Sequence, residues 1–120
     1  MNNNVDKQAL IDQIVSSIQD VKGEDIMIFD LSEIENSVAE TFIICTGNSN
    51  TQVNAISGSV EKKVRNELGE RPWHVEGTEN AMWVLVDYIS VVVHIFQREV
   101  RSYYDLEELW GDAKITLVEN

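Results

Sequence analysis

Residues 82–96 read MWVLVDYISVVVHIF, two strand-like runs on either side of a short segment, Asp87 to Ser90. If this segment is the turn of an antiparallel hairpin, the alternation of side chains along each strand assigns every residue to one of two faces. One face is wholly apolar and is predicted to face the core. Its three cross-strand pairs are Val86 with Val91, Val84 with Val93, and Met82 with Ile95.

The other face of the same hairpin is aromatic, and it places Trp83 directly across from His94. Large aromatic side chains with few charges are typical of the centre of a protein–protein interface. A helix that covers this face, with His94 as a hydrogen-bonded core residue, explains the pattern equally well. Both interpretations stay open, because a change of register by one residue would exchange the two faces. The members of this face are Trp83, Leu85, Val92, His94 and Phe96.

Outward from the hairpin, the pattern predicts helix, two strands, helix, three strands and a final helix, which is an α/β order around a mixed sheet of about five strands. The clearest helix start is Ser49, followed by Gln52 as in a capping box, and Gly69 ends that helix. The length of 120 residues suits one domain, residues 1–120, with a core of about 7–113 and frayed termini. The pattern does not decide whether the domain has two layers or three.

Charge is the unusual feature of the composition, with 9 Lys and Arg against 21 Asp and Glu and a formal net charge of −12. Affinity for nucleic acid depends on neutralising phosphates, so this balance disfavours direct binding to RNA or DNA. An acidic surface instead attracts basic proteins and speeds their encounter. Solubility alone is the other explanation.

Neither a signal peptide nor a membrane span is predicted, so we expect a soluble cytoplasmic protein without a membrane partner. Cys45 is the only cysteine and lies in an apolar run, so we expect a buried thiol and no disulfide. The spacing of Cys45, His74 and His94 does not suggest a shared metal, and no cofactor is expected.

The search for catalytic residues yields little. There is no phosphate-binding glycine loop, no dinucleotide fingerprint and no nucleophile elbow. The turn Gly47-Asn48-Ser49 precedes a capped helix and could bind an anion, and Asp30 and Asp87 stand at strand ends. A turn aspartate that bonds its own backbone is the commoner arrangement, and no strand carries the paired carboxylates of a two-metal enzyme. No catalytic residue is therefore assigned, and a non-enzyme is predicted.

Several segments, in this order, resemble the ribosomal silencing factor (Iojap-like) family. They are Thr41 to Ser49, Val75-Glu76-Gly77, Trp83 to Tyr88, Val91 to Phe96 and Tyr103 to Trp110. The resemblance covers about residues 7–113. One departure is the hairpin turn, where the family usually has Gly-Asp and this chain has Ile89-Ser90.

The resemblance implies a nucleotidyltransferase-like fold without catalytic residues. It also implies binding to the ribosomal large subunit through a basic interface protein, the fourteenth large-subunit protein. Occupying that surface would block small-subunit joining and repress translation when nutrients are limiting. The alternatives are a large-subunit assembly factor, as for organelle relatives, or a divergent nucleotidyltransferase-like enzyme. A homodimer of the free protein is left open.

The hairpin pattern, the acidic charge and the family resemblance together predict a partner-binding surface on the aromatic side of the hairpin. Large aromatic side chains are the residue types that dominate interface energetics, and acidic ones suit a basic partner. The predicted partner-binding residues are Trp83, Tyr88, His94, Phe96, Glu76 and Leu85.

Overall fold

The computed structural model describes residues 6–119, which form four helices and one six-stranded sheet. The sheet order is β3-β4-β5-β2-β1-β6. Only the central pair β2 and β5 is parallel, so the sheet is mixed as predicted. The elements are α1 (Lys7–Asp20), β1 (Glu24–Asp30), β2 (Thr41–Gly47), α2 (Asn50–Leu68), β3 (His74–Glu76), β4 (Trp83–Asp87), β5 (Val91–Gln97), α3 (Arg98–Tyr104), α4 (Leu106–Leu109) and β6 (Lys114–Leu117).

The long helix α2 begins and ends where the sequence predicts. The Ser49 hydroxyl accepts a hydrogen bond from the Gln52 N–H at 3.1 Å, and Gly69 ends the helix with a left-handed φ of 71°. The return bond of the capping box differs by one residue, because the Gln52 side chain accepts from the Asn48 N–H at 2.7 Å. This cap fixes the direction in which α2 leaves the sheet.

The domain has three layers, since both faces of the sheet are covered. We call the side under α1 and α2 the aliphatic face; its buried side chains include Ile14, Ile43, Val60, Val84 and Val93. We call the side under α3 and α4 the aromatic face. Its buried cluster is Phe29, Leu31, Ala39, Phe42, Ile44, Val92, Phe96 and Leu106.

The register of the hairpin differs from the predicted one by two residues. Val86 lies opposite Val93, and Trp83 lies opposite Phe96 instead of His94. The reason is the turn: Tyr88 donates its N–H to the Val91 carbonyl, so only two residues connect the strands. A shift by two residues returns every side chain to its predicted face. Both faces of the hairpin are therefore as predicted, although the cross-strand partners were wrong.

Two further expectations are corrected. Met82, predicted for the core, is 45% exposed because it lies just before the N-terminal end of β4. The sheet has six strands and not about five, because Lys114–Leu117 pairs with β1 beyond the predicted core boundary. All four residues of this strand are exposed, and although Lys114 to Leu117 alternates polar and apolar residues, the alternation spans only four positions, the shortest run that indicates a strand.

Candidate partner-binding surface

Trp83 is the central residue of the candidate surface, and three neighbours hold its ring in place. The side chain is half-buried at the start of β4. Its ring centroid lies 4.8 Å from that of Phe96 on β5 and 4.8 Å from that of Tyr104 on α3. The indole Nε1 donates a hydrogen bond to Nδ1 of His94 at 3.1 Å. An aromatic ring fixed in this way loses little conformational entropy when a partner binds it.

His94 lies below Trp83 in the sheet and is only 5% exposed. It is opposite Leu85 on β4 and Ile44 on β2, and its ring packs against that of Phe42 at 4.6 Å. Burial lowers the pKa of His94 from 6.5 to about 4, so the imidazole is neutral at physiological pH. Because Nδ1 accepts from Trp83, the proton is on Nε2, which is buried without a hydrogen-bond partner among residues 6–119.

The six predicted partner-binding residues divide into two groups. Glu76 is exposed, and Trp83 and Leu85 are half-buried. With Gly77 these three line a shallow groove of about 340 Å³ beside strand β3. They can reach a partner, and they remain the predicted contact residues.

Tyr88, His94 and Phe96 are buried, so the structure disfavours direct contact of these three with a partner, and their role in binding stays a prediction. Phe96 is 1% exposed and supports Trp83 from below. Tyr88 packs in the aliphatic cluster, on the opposite side of the sheet from Trp83. The aromatic face is thus both a covered core, at His94 and Phe96, and an accessible rim, at Trp83 and Leu85. The covered part is confirmed, with His94 as a hydrogen-bonded core residue, and the interface interpretation stays a prediction for Trp83 and Leu85.

A second groove, of about 310 Å³, adjoins Trp83 on the side of α3. Two tyrosines of this groove, Tyr103 and Tyr104, were not among the predicted partner-binding residues, and they are 82% and 50% exposed. The signal that could have found them is their adjacency, because neighbouring residues on a helix do not share one face. The groove is lined by Met82, Trp83, Glu99, Val100, Tyr103 and Tyr104.

Acidic residues border both grooves, Glu76 on one and Glu99 on the other. A third carboxylate near this end of the fold, Glu107, is paired with the buried Arg101 at 3.2 Å. Its charge is therefore offset within the chain, whereas Glu76, 3.5 Å from the His74 ring, and Glu99 are both exposed to solvent.

The alternative enzyme site is not assembled by the fold. Asp30 accepts hydrogen bonds from the N–H and hydroxyl of Ser32, which lower the pKa of its carboxyl group. Asp87 accepts from the Ile89 N–H at 2.7 Å. Both are turn aspartates that bond their own backbone. Cys45 packs in the aliphatic cluster while His94 lies on the aromatic face, so the sheet separates them. Within residues 6–119, no three His, Cys, Asp or Glu side chains are grouped to hold a metal.

A comparison with known proteins identifies the family. The family model described as "Ribosomal silencing factor during starvation" matches residues 4–120. The chain belongs to this family. Ribosomal silencing factor RsfS of Halalkalibacterium halodurans is 43% identical over 106 residues, which is 88% of this chain and 89% of that protein.

Two further relatives extend the comparison. A crystal structure of a Chromobacterium violaceum protein superposes with a TM-score of 0.84 at 38% identity, covering 97% of this chain and 95% of that one. A mouse protein named "Mitochondrial assembly of ribosomal large subunit protein 1" is 28% identical over 102 residues, 83% of this chain and 44% of its own length. The fold and the family therefore agree with the resemblance read from the sequence. Among the described residues, no helix is long and apolar enough to span a membrane.

Proposed function

We propose that this ribosomal silencing factor binds the large subunit at its fourteenth protein, in the cytoplasm, and blocks small-subunit joining by occupying the surface. The observation that carries the proposal is the half-buried Trp83 at the rim of two grooves. Its ring is held by Phe96, Tyr104 and His94 before any partner arrives. Such preorganised aromatic anchors dominate binding energy in many interfaces.

Charge complementarity supports a basic protein as the partner. The net charge of −12 repels the RNA that makes up most of a ribosomal surface and attracts a basic protein. Glu76 and Glu99, at the edges of the two grooves, place acidic groups next to the apolar contact. An apolar centre with a charged rim is the usual anatomy of a transient interface.

To block small-subunit joining, the protein needs only to occupy its site on the large subunit, so this mechanism requires no chemical step. Inhibition should then follow binding in every variant, and it should be stronger on free subunits than on joined ribosomes, where the site is covered. A variant that binds the large subunit normally but fails to inhibit joining would overturn the steric mechanism.

The deciding experiment mixes the protein with separated subunits and measures both co-sedimentation with the large subunit and the yield of joined ribosomes. We expect saturation near one copy per large subunit. Trp83→Ala should weaken binding by about 2 kcal/mol or more. The matched control is Trp73→Ala, since Trp73 is 72% exposed but lies next to the other end of β4, where its N–H bonds Asp87. Equal losses in both variants would contradict the assignment of the surface to Trp83.

Trp83→Ala also removes the hydrogen bond to His94, so a variant that keeps the fold is needed beside it. Leu85→Ala truncates a half-buried side chain of the same groove without touching that bond. Both variants should weaken binding while circular dichroism shows the native fold. Weakened binding in Trp83→Ala alone, with the native spectrum kept, would remove Leu85 from the surface.

Electrostatic steering gives an independent test of the partner's charge. The association rate should fall as salt rises, because fields beyond about 8 Å are screened at physiological ionic strength. Glu76→Gln with Glu99→Gln should reduce both the rate and its dependence on salt. A rate that is constant from low to high salt would mean that the charge serves solubility only.

Action in large-subunit assembly is a second candidate function, favoured by the name of the mouse relative. The same surface could act in either process. Binding assays with immature and mature large subunits separate the two, because a silencing factor must bind the mature particle. Binding to immature particles alone would favour assembly.

A further inference from the structure

A polar cavity of about 390 Å³ lies where β1 begins and β2 ends, on a different side of α3 from the groove at Trp83. Small-molecule sites usually measure roughly 300 to 1,000 Å³, so this cavity can hold a small ligand. One stripe of α3 and the residue after it line the cavity, at the spacing of three and four that shares a helical face. These residues are Arg98, Arg101, Ser102 and Asp105.

The charges that line the cavity are mixed and do not cancel. There are three carboxylates, those of Asp25, Asp105 and Glu107, against the guanidinium groups of Arg98 and Arg101. Asp25 pairs with Arg98 and Glu107 pairs with Arg101, so Asp105 carries the excess negative charge. Such a lining favours a ligand with both kinds of charge and a net positive one. It disfavours a nucleotide, because the phosphates would meet three carboxylates.

Arg101 is the buried residue of this lining, and it holds the cavity in shape without offering a donor to a ligand. A guanidinium group has five N–H donors, and Arg101 uses all of them within the chain. The acceptors are the Asp25 carbonyl, the Thr46 hydroxyl, the Met27 sulfur and, for two N–H groups, Glu107 Oε2.

The carboxylates, in contrast, have accepting oxygens that the chain does not fill. Glu107 Oε1 is buried without a hydrogen-bond partner among residues 6–119, and a buried acceptor normally has one. Asp105 accepts from the Glu108 N–H through Oδ1 alone, so within the same residues its Oδ2 is not bonded. An ammonium group donates three hydrogen bonds and binds carboxylates strongly, so it suits this side of the cavity.

Arg98 supplies donors on the other side of the cavity. It bonds Asn48 Oδ1 at 3.0 Å, Asp25 Oδ2 at 3.1 Å and the carboxylate of Glu24. Two of its five N–H donors are therefore without a partner in the part of the chain that the structure describes. Asn48 lies at the start of α2, whose positive dipole end also attracts an anionic group. A ligand carboxylate suits this position.

We propose that the cavity binds a free basic α-amino acid, lysine or arginine, with its carboxylate on Arg98 and its cationic groups on Asp105 and Glu107. Such a ligand carries one net positive charge at neutral pH, which offsets the excess charge of the lining. The hydroxyl groups of Ser102 and Thr46 line the same cavity and complete the polar contacts. The site adds a small ligand to the protein and does not depend on the binding of the large subunit.

Lysine and two of its analogues test the two sides of the site separately. Cadaverine is lysine without the carboxylate, and norleucine is lysine without the side-chain ammonium group. Amide chemical-shift titrations of the full chain measure the affinity and locate the site. Lysine has about ten non-hydrogen atoms, so we expect a Kd of about 0.1 to 1 mM, with shifts at the Thr46 and Ser102 amides. Each analogue should bind about tenfold more weakly, because it lacks one charge-assisted contact.

Two substitutions should change the preference between these ligands in different ways. Asp105→Asn keeps the capping oxygen and a residue type that tolerates the left-handed φ of 47°. It should lower lysine affinity about tenfold and reduce the preference for lysine over norleucine. Arg98→Met should remove the preference for lysine over cadaverine. The matched control is Glu108→Gln, which removes the same charge from an exposed neighbour outside the cavity and should leave lysine affinity unchanged.

The proposal and the proposed function can fail separately. Leu85→Ala, which alters the surface proposed for the large subunit, should bind lysine as the wild-type chain does. Several results would overturn the proposal: no binding of lysine at millimolar concentrations, equal affinity for lysine and both analogues, or an equal loss in Glu108→Gln. Tighter binding of ATP than of lysine, or chemical shifts confined to the groove at Trp83, would overturn it as well.

Discussion

The two faces of the central sheet carry different types of side chain. The aliphatic face lies under the two long helices α1 and α2, and its buried residues on the two hairpin strands are valines and one isoleucine, with Tyr88 beside them in the turn. The aromatic face lies under the short helices α3 and α4 and holds the buried polar residues His94 and Arg101. Short helices cover less area, and Trp83 and Leu85 remain half-buried at their margin.

The difference separates stability from recognition within one sheet. Close-packed aliphatic side chains under long helices stabilise the fold without offering any group to a partner. The aromatic face combines burial with directed hydrogen bonds, which fix the positions of rings that stay accessible. A partner then meets a surface that is already ordered.

The largest effect should come from Arg101, which fastens α3 to the sheet on the aromatic face. Its guanidinium bonds the Asp25 carbonyl and the Thr46 hydroxyl, each at 2.7 Å, and pairs with Glu107. Arg101→Met leaves these groups unpaired and should lower the free energy of unfolding by about 3 kcal/mol or more in urea titrations. Arg98→Met is the control, because Arg98 is paired but 47% exposed, and exposed pairs contribute about 1 kcal/mol or less. Equal losses would mean that α3 is not held by its buried polar contacts.

The second-largest loss of stability is expected on lowering the pH, and it comes from the aromatic face alone. The pKa of His94 is about 4 in the folded chain against an ordinary 6.5. As pH falls below 6.5, His94 becomes protonated in the unfolded chain, whereas in the folded chain it stays neutral until about pH 4. Stability is therefore lost between pH 6.5 and 4, by about 3 kcal/mol in total.

Urea titrations at pH 7 and pH 4.5 measure this loss. His94→Gln should remove most of the pH dependence, whatever it does to the stability at pH 7. The control is His74→Gln, since His74 is exposed on β3 and is the only other histidine. A loss that persists in His94→Gln would have to come from carboxyl groups.

The next largest loss of stability is expected from substitutions on the aliphatic face. Val84→Ala and Val93→Ala each remove buried methyl groups under α1 and α2, and should lower the free energy of unfolding by about 2 kcal/mol. Large-subunit binding should stay normal wherever the variants are folded. Leu85→Ala, the neighbour on the other face, should show the reverse: a smaller loss of stability and a weaker interaction. If the two neighbours behave alike, the division between the faces is wrong.

The smallest effect lies in the turn that joins the two strands of the hairpin. Ile89 has a φ of 76°, and its flanking residues are joined by a bond from the Ser90 N–H to the Tyr88 carbonyl. A β-branched residue is strained in this region, whereas glycine is not. Ile89→Gly should raise the melting temperature, by an amount equivalent to about 1 kcal/mol. Ser90→Gly, which replaces a residue without a positive φ, should not raise it.

The sequence determined the element types from α1 to α3, the position of α2 and the two faces of the hairpin. These follow from local rules: Ser49 and Gly69 satisfy the backbone groups at a helix's ends, and alternation along a strand fixes which side chains share a face. The family also followed from the sequence, because its motifs are continuous segments. None of these conclusions needs to know where distant segments meet.

Tertiary structure alone decided which aromatic residues are accessible. His94, Phe96 and Trp83 stand on one face, yet only Trp83 reaches solvent, because α3 covers the sheet as far as Tyr104 and no further. The same holds for Arg101, whose partners lie 55 and 76 residues away in the chain. Strand β6 was missed for a related reason: its four exposed residues are ordered by pairing with β1. Which residues are buried and which strands pair depends on how the helices pack on the sheet. A periodic sequence pattern shows only that a side chain is apolar and does not show which element covers it.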